Sequence, residues 1–513
     1  MRKFIAVLTA VLLVVIGTIS WNSLHTNSAS PDANASIAPS LTDGTYPAEL
    51  ASFYEQKIEW TDCQDSYSCG TFDVPIDYAN PSVGSMKIAA TRLIGKNSNG
   101  NALVLNPGGP GGSGVEYAQA AQYVMSQELI DNFDIVGFDP RGVGQSTPID
   151  CLSDSETDAY ISADGSPDNQ QEIDETVSLL KNFAQECADK SPATYAFIDT
   201  VSAAKDIDIL RVLLGNEKLN WFGKSYGTFL GATYAELFPH NVGRMMLDGA
   251  IDPALSNQEL SHGQALGFEN ALNRFVDDCP SHKNCPLKAK GAAGVIQIMD
   301  LVNNFDANPV TLDDGREFTQ AMALTGVLGS LYDKQYGWDS LRDSLADAFK
   351  GDYAKLVENV DWYISRNTDG TYSDNSNDAI MDINCLDRQD RPTLEETQTL
   401  ASQWIVEAPN FGAYLAWGNL SCTYWSAPAT GQAHTIRADG APTILVVGTT
   451  NDPATPYPWA QALATELSSG VLLTYDGDGH TAYFQGSACI DNYVDDYFLT
   501  GKAPEEITCN DGP

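Results

Sequence analysis

Six short apolar runs, rich in β-branched and aromatic residues and closed by turn residues, recur along the chain: 102–105 (Ala-Leu-Val-Leu), 133–138, 219–222, 245–247, 443–447 and 471–475. Most lack polar alternation, which predicts strands buried on both faces, as in a parallel sheet. Between some of them the apolar residues fall at helical spacing. One such stretch covers about 200–214, with Ile207, Leu210, Val212, Leu213 and Leu214; another follows Tyr226. Strands alternating with helices predict a doubly wound α/β sheet. The rhythm stops after Asp252-Pro253. To about Arg437 the pattern is mostly helical and rich in aromatics, among them Phe268, Trp338, Trp362, Trp404 and Trp417. Strands resume at Pro442. The late strands are too few to fold alone. The expectation is therefore one α/β core split by an insertion: first part 36–252, helical cap 253–437, C-terminal part 438–513. Three consecutive domains is the alternative.

The chain opens Met1-Arg2-Lys3, followed by apolar residues from Phe4 to Ile19. A basic start before a short apolar segment is a secretory signal. The segment is shorter than the roughly 20 residues of a spanning helix. Ala33-Asn34-Ala35 fits a cleavage site, with Ser28-Ala29-Ser30 as a second choice, so residues 1–35 are expected to be a leader. An uncleaved N-terminal anchor is the alternative, and no other stable membrane partner is expected. Ten cysteines suit an oxidising compartment, and pairing neighbours gives 63–69, 151–187, 279–285, 385–422 and 489–509. Zinc would require clustered C-x-x-C or His-rich spacing, which is absent, so no metal is expected. Hydrophobic residues at 43% rule out a wholly disordered chain. With Lys plus Arg at 28 against Asp plus Glu at 68, the net charge is −40. Such a chain repels phosphate backbones, which excludes nucleic acid as a partner.

Candidate chemistry begins at Gly223-Lys224-Ser225-Tyr226-Gly227, a G-x-S-x-G pattern after a strand and before a helix. In that context the pattern is a nucleophile elbow, with Ser225 projecting from the tight turn. A serine needs a base, and the base an orienting acid, in the chain order Ser, acid, His. His480 alone among the histidines follows a late strand, in a Gly-rich loop. Asp452 follows the strand before it, in a Pro-stiffened loop. Asp476 and Asp478 are rivals by position, as are Asp248 and Asp252 after an earlier strand. The loop Asn106-Pro107-Gly108-Gly109-Pro110-Gly111-Gly112 follows the first apolar run. Its glycines let backbone amides approach an oxyanion, each such donor being worth about 3 kcal/mol in the transition state. Gly109 and Tyr226 are the expected donors. A phosphate loop would need Gly-Lys-Ser/Thr, and no Lys is present there. The Gly-rich turn Asp139-Pro140-Arg141-Gly142-Val143-Gly144-Gln145-Ser146 is expected to support the site.

Together, the Gly-Gly-Pro-Gly loop, the Asp-Pro-Arg-Gly-x-Gly-x-Ser turn, the Gly-Lys-Ser-Tyr-Gly elbow and the late Gly-x-x-x-Asp-Pro…Gly-His pattern resemble the secreted tripeptidyl aminopeptidases of actinobacteria. These belong to the proline-iminopeptidase branch of α/β-hydrolase serine peptidases. The resemblance covers about residues 50–513. It implies an α/β-hydrolase fold with a cap over the site, release of short peptides from free N-termini, and no cofactor. It also implies Ser225 as nucleophile, Asp452 as orienting acid and His480 as base. One departure is Asn106-Pro107, where iminopeptidases carry His before Gly-Gly-Pro-Gly; the Pro form goes with the tripeptidyl group. A peptide substrate brings an ammonium, which needs a carboxylate partner when buried. Glu116, just past the glycine loop, and Asp387, beside Cys385, are the candidate partners; for each, a solvated surface acid is the alternative. An esterase or other acyl hydrolase on the same core is the nearest alternative. A non-catalytic peptide-binding surface protein is the remote one.

Overall fold

The computed structural model describes residues 46–64 and 66–510; the leader expected over 1–35 lies outside them. Ten strands form one sheet: β1 (Thr61–Gln64), β2 (Tyr67–Pro75), β3 (Ser85–Leu93), β4 (Ala102–Asn106), β5 (Asp134–Phe138), β6 (Leu219–Lys224), β7 (Val242–Asp248), β10 (Ile444–Asn451), β11 (Gly470–Asp478) and β12 (Ile507–Asn510). A separate hairpin pairs β8 (Val310–Thr311) with β9 (Glu317–Phe318). The sheet order is β1-β2-β3-β5-β4-β6-β7-β10-β11-β12. β1, β2 and β3 run antiparallel at one edge, and β5 onward is parallel. Each of the six apolar runs is a strand, and all of them are parallel neighbours.

The two faces of the sheet explain those runs. Side chains alternate between faces along a strand. Val104, Val136, Trp221, Met245, Leu247 and Val446 pack on one face. Leu103, Leu105, Ile135, Phe222, Met246, Leu445 and Val447 pack on the other. Both faces are covered, so no polar alternation survives to mark these strands. The sheet strands without such a run lie towards its two ends: β1 is exposed throughout, and β3 alternates Ser85, Met86, Lys87 and Ile88 between solvent and core.

β7 pairs in parallel with β10, Met245 opposite Ile444 and Asp248 opposite Val447. The helical residues between them leave the sheet and return to it, making a cap inserted in the core. Part of the cap has its own hydrophobic cluster, with Phe268, Phe275, Met322, Trp338 and Leu341. Other residues of the insertion pack differently: Ala379, Ile383, Leu386, Trp425 and Ile436 join the core cluster. A second insertion, between β5 and β6, adds the helix Gln170–Lys190, whose Ile173 and Leu180 pack with Trp404, Trp417 and Leu420. Periodicity alone gave no sign that this helix joins the cap.

All ten cysteines pair as neighbours in the chain: 63–69, 151–187, 279–285, 385–422 and 489–509. Cys151–Cys187 and Cys385–Cys422 close loops with separations of 36 and 37 residues. Chain entropy makes each worth about 4 kcal/mol. Among the described residues no helix is long and apolar enough to cross a membrane.

The Arg141–Asp206 ion pair lies fully inside. Arg141 Nε and Nη2 each reach an Asp206 oxygen at 2.7 Å, and both side chains are 1% exposed. The remaining guanidinium hydrogens go to the carbonyls of Pro75, Ile76 and Phe197. Removing one partner strands a buried charge. Arg141→Met is therefore expected to cost about 3–5 kcal/mol in urea unfolding. Lys87→Met, which breaks the exposed Lys87–Asp73 pair, should cost under about 1 kcal/mol. Similar losses for both would contradict this ranking.

Candidate active site

Every residue of β6 is buried, and the strand turns directly into the helix Tyr226–Leu237 at Ser225. Ser225 has φ 54° and ψ −125°. A non-glycine residue at positive φ is strained, and surrounding contacts must hold it there. They do. The Ser225 amide donates to the Asp248 carbonyl at 2.9 Å, and its own carbonyl accepts from Thr228 N at 2.8 Å and Thr228 Oγ1 at 2.6 Å. Ser225 thus stands half-buried at the helix N-terminus, where the helix dipole favours negative charge.

His480 lies in the loop after β11. Its Nδ1 meets the two Asp452 oxygens at 2.9 and 3.0 Å, and Thr455 Oγ1 at 3.2 Å. A carboxylate only accepts, so this network assigns the proton to Nδ1 and a lone pair to Nε2. That Nε2 is buried and has no hydrogen-bond partner among the described residues. Asp452 also accepts from the amides of Ala454, Thr455 and Thr481 and from Thr455 Oγ1. So many donors hold the carboxylate in one orientation. Gly249, next to Asp248, flanks the imidazole: a Cβ there would lie 3.2 Å from His480 Cε1. The residue that grips the Ser225 amide therefore adjoins one that touches the His480 ring. The rivals by position do other work. Asp478 pairs with Arg274 and Lys334 of the cap, and Asp476 accepts from Thr450 Oγ1. Asp252 accepts from Ala254 N.

The glycine loop presses on the elbow through Gly108. A Cβ on Gly108 would lie 2.6 Å from the Lys224 carbonyl oxygen, 2.7 Å from Ser225 Cβ and 2.9 Å from Tyr226 N, and its φ is +104°. The Gly108 carbonyl accepts from Gly112 N at 3.1 Å inside the loop. The peptide to Gly109 is trans, so the Gly109 N–H points away from Gly112. Neither Gly109 N–H nor Tyr226 N–H donates to any described group. Two unpaired amides beside a serine can receive an oxyanion. Close approach falls on Gly108, a position that motif spacing did not single out from its neighbours.

A family profile described as TAP-like protein matches residues 408–509. The serine protease Hip1 of Mycobacterium tuberculosis is 36% identical over 471 residues, covering 88% of this chain and 90% of that one. The chain belongs to the TAP-like serine hydrolases. Carboxylesterase B of Mycobacterium tuberculosis is 37% identical to it over 447 residues, 85% of each chain. Tripeptidyl aminopeptidase of Streptomyces lividans is 28% identical over 486 residues, 88% of this chain and 86% of that one.

Several residues that support the site of this TAP-like hydrolase escaped the motif reading. Lys224, the variable residue of the elbow, is buried. Its Nζ donates to the Tyr483 carbonyl at 2.7 Å and lies 3.8 Å from Asp248. Asp248 in turn accepts from Ala482 N at 2.9 Å and Tyr483 N at 3.0 Å. Burial pushes the Lys224 ammonium down and the Asp248 carboxyl up, and their mutual attraction opposes both. The pair clamps the loop that follows His480. From the cap, the Tyr332 carbonyl accepts from His480 N at 2.7 Å, and its ring meets the imidazole edge-on at 5.4 Å. Asp139 accepts from Ser113 Oγ, Val115 N and Gln145 N, joining the glycine loop to the Gly-rich turn.

The two expected amine partners sit differently. Asp387 is buried; it accepts from Thr200 N at 2.8 Å and Thr200 Oγ1 at 2.5 Å, and Thr200 Oγ1 also contacts Tyr226 Oη. It props the Tyr226 ring from behind the elbow. Glu116 lies in the first turn of Gly114–Gln119 with its surface largely open, yet partial desolvation of the carboxylate, followed by the nearby Asp374 and Asp139 charges, raises its pKa. Away from the site, Asp164, Glu172 and Asp306 bring carboxylate oxygens within 4.8 Å of one another, which carries no metal assignment by itself.

Two outcomes follow. Gly108→Ala should fold yet lose about 10²-fold or more in kcat/KM, since the added methyl displaces the elbow; near-normal turnover would contradict the contact. Asp387 is pushed up to about 7, foremost by burial. A raised carboxyl stabilises the fold below its unfolded pKa of about 4, and this contribution is lost as pH rises to 7. In Asp387→Asn, the stability difference between pH 5 and pH 8, read by urea unfolding, should shrink.

Proposed function

We propose that this TAP-like hydrolase is an exported serine exopeptidase that releases short peptides, tripeptides foremost, from free N-termini. The observation that carries the reading is the buried, unpartnered Nε2 of His480, oriented by Asp452 beside the Ser225 elbow. Ser225 Oγ attacks the scissile carbonyl while His480 Nε2 takes its proton. The amides of Gly109 and Tyr226 receive the oxyanion. The C–N bond breaks, and the imidazolium protonates the leaving amine. Water then attacks the acyl-enzyme by the same route and Ser225 regains its proton. No metal or organic cofactor enters these steps. Glu116, open to solvent just past the glycine loop, is the first choice for the substrate ammonium. Asp387 would serve only if Thr200 released it. Relatives named serine protease and tripeptidyl aminopeptidase support peptides as substrates. The paired cysteines and the basic-apolar start at 1–35 support export.

Ester hydrolysis is the second reading, favoured by the relative named carboxylesterase B. Mass spectrometry of products from peptides with free and acetylated N-termini, beside Ser225→Ala, separates the two. The expected result is N-terminal tripeptides from free substrates only, with turnover about 10⁶-fold lower in the variant. Release of single prolines would instead make the protein an iminopeptidase. Intact peptides with short esters hydrolysed would leave an esterase. Glu116→Gln and Asp387→Asn should raise KM for free-amine peptides more than for esters; equal loss on both removes the amine role from that residue.

A further inference from the structure

A cavity of about 260 Å³ borders His480 on one side and Pro107, the start of the glycine loop, on the other. Four of its other wall residues are aromatic, Tyr117, Tyr123, Tyr332 and Phe484, beside Val124, Lys224 and Asp333. Ser225 and Tyr226 are not among them. The volume is below the roughly 300–1,000 Å³ of sites that enclose whole small molecules, so it suits one side chain. Two of the rings lie open at the rim, Tyr123 at 74% and Phe484 at 39% exposure. Phe484 holds φ +62°, a conformation that bulky side chains rarely adopt, and its amide is tied to Asp491 Oδ1 at 2.7 Å. Strain that keeps an aromatic ring at the mouth of a cavity points to a binding role. The Tyr117 hydroxyl donates to no described group.

The reaction says which part of a substrate meets this cavity. The base must protonate the leaving nitrogen, so the departing fragment lies beside the imidazole, while the acyl part stays on Ser225. A cavity walled by His480 but not by Ser225 or Tyr226 is on the departing side. Resting on the peptidase reading above, we propose that it is the subsite for the first residue of the leaving peptide, and that it selects large apolar side chains, aromatic ones above all. Ring-on-ring packing favours aromatics over aliphatics of equal size. Lys224 reaches this cavity with its ammonium held by Asp248, leaving Asp333 at the wall and a net charge of −40 to disfavour acidic side chains.

The test holds one free-amine acyl segment constant and varies the first leaving residue among Phe, Leu, Gly and Asp. It is run beside methyl and benzyl esters of the same acyl segment. The expected kcat/KM for Phe exceeds that for Gly by about tenfold, with Asp below Gly. Tyr123→Ala and Phe484→Ala should shrink the Phe/Gly and benzyl/methyl ratios towards unity. Hydrolysis of the preformed acyl-enzyme, which has already lost its leaving group, should keep its rate in both variants. Equal kcat/KM across cleaved peptides would overturn the subsite. So would variants that slow every substrate and deacylation alike. Intact peptides with a Tyr123-dependent benzyl preference would overturn the peptidase reading while upholding the cavity as the leaving-group site.

Discussion

Asp248, buried at the end of β7, gives its carbonyl to the Ser225 amide and its carboxylate to the amides of Ala482 and Tyr483, just past His480. The strained serine and the loop carrying the imidazole are thereby referred to one rigid point in the middle of the sheet. A carboxylate buried this deeply needs compensation. Lys224 supplies it, and uses a further hydrogen bond to hold the Tyr483 carbonyl. The cation sits beside Ser225 in sequence, yet it holds the loop that follows His480. Losing either charge would leave the other buried and would loosen both halves of the site together.

The cap is coupled to the same point. Tyr332 hydrogen-bonds His480 N through its carbonyl, while Arg274 and Lys334 hold Asp478 at the start of that loop. On the opposite side Asn375 bonds Gly144 N and the carbonyls of Gly142 and Ile149, bracing the turn that Asp139 joins to the glycine loop. Cap and core thus share hydrogen bonds with the groups that position the imidazole and the glycine loop. Movement of Tyr332 would break the His480 amide bond and change the wall of the adjoining cavity in one step.

What was legible in the chain was local. The buried strands announced themselves because both sheet faces are covered, so their apolar runs are continuous. The elbow was legible because a tight strand-to-helix turn leaves no room for a side chain at Gly223 and Gly227, two positions either side of Ser225. Asp452 and His480 followed from strand order, since each stands in the loop after a late strand. The cysteine pairs were legible because each joins neighbours in the chain. Each of these signals is written in contiguous residues, where periodicity and turn chemistry act.

The rest was decided by segments that meet only after folding. Gly108 rather than another loop glycine takes the close approach, because the path of β4 brings its Cα against Lys224 and Ser225. Asp387 looked like an open carboxylate beside a disulfide. Packing of its helix behind the elbow closes it onto Thr200. Lys224 reads as an arbitrary residue inside a motif until Tyr483 and Asp248 are brought to it. The helix 170–190 becomes part of the cap only through contacts with residues more than two hundred positions later. Local sequence determines which elements form and which residues carry chemistry. The distances between those residues are set by how distant elements pack, and a linear pattern holds no record of that packing.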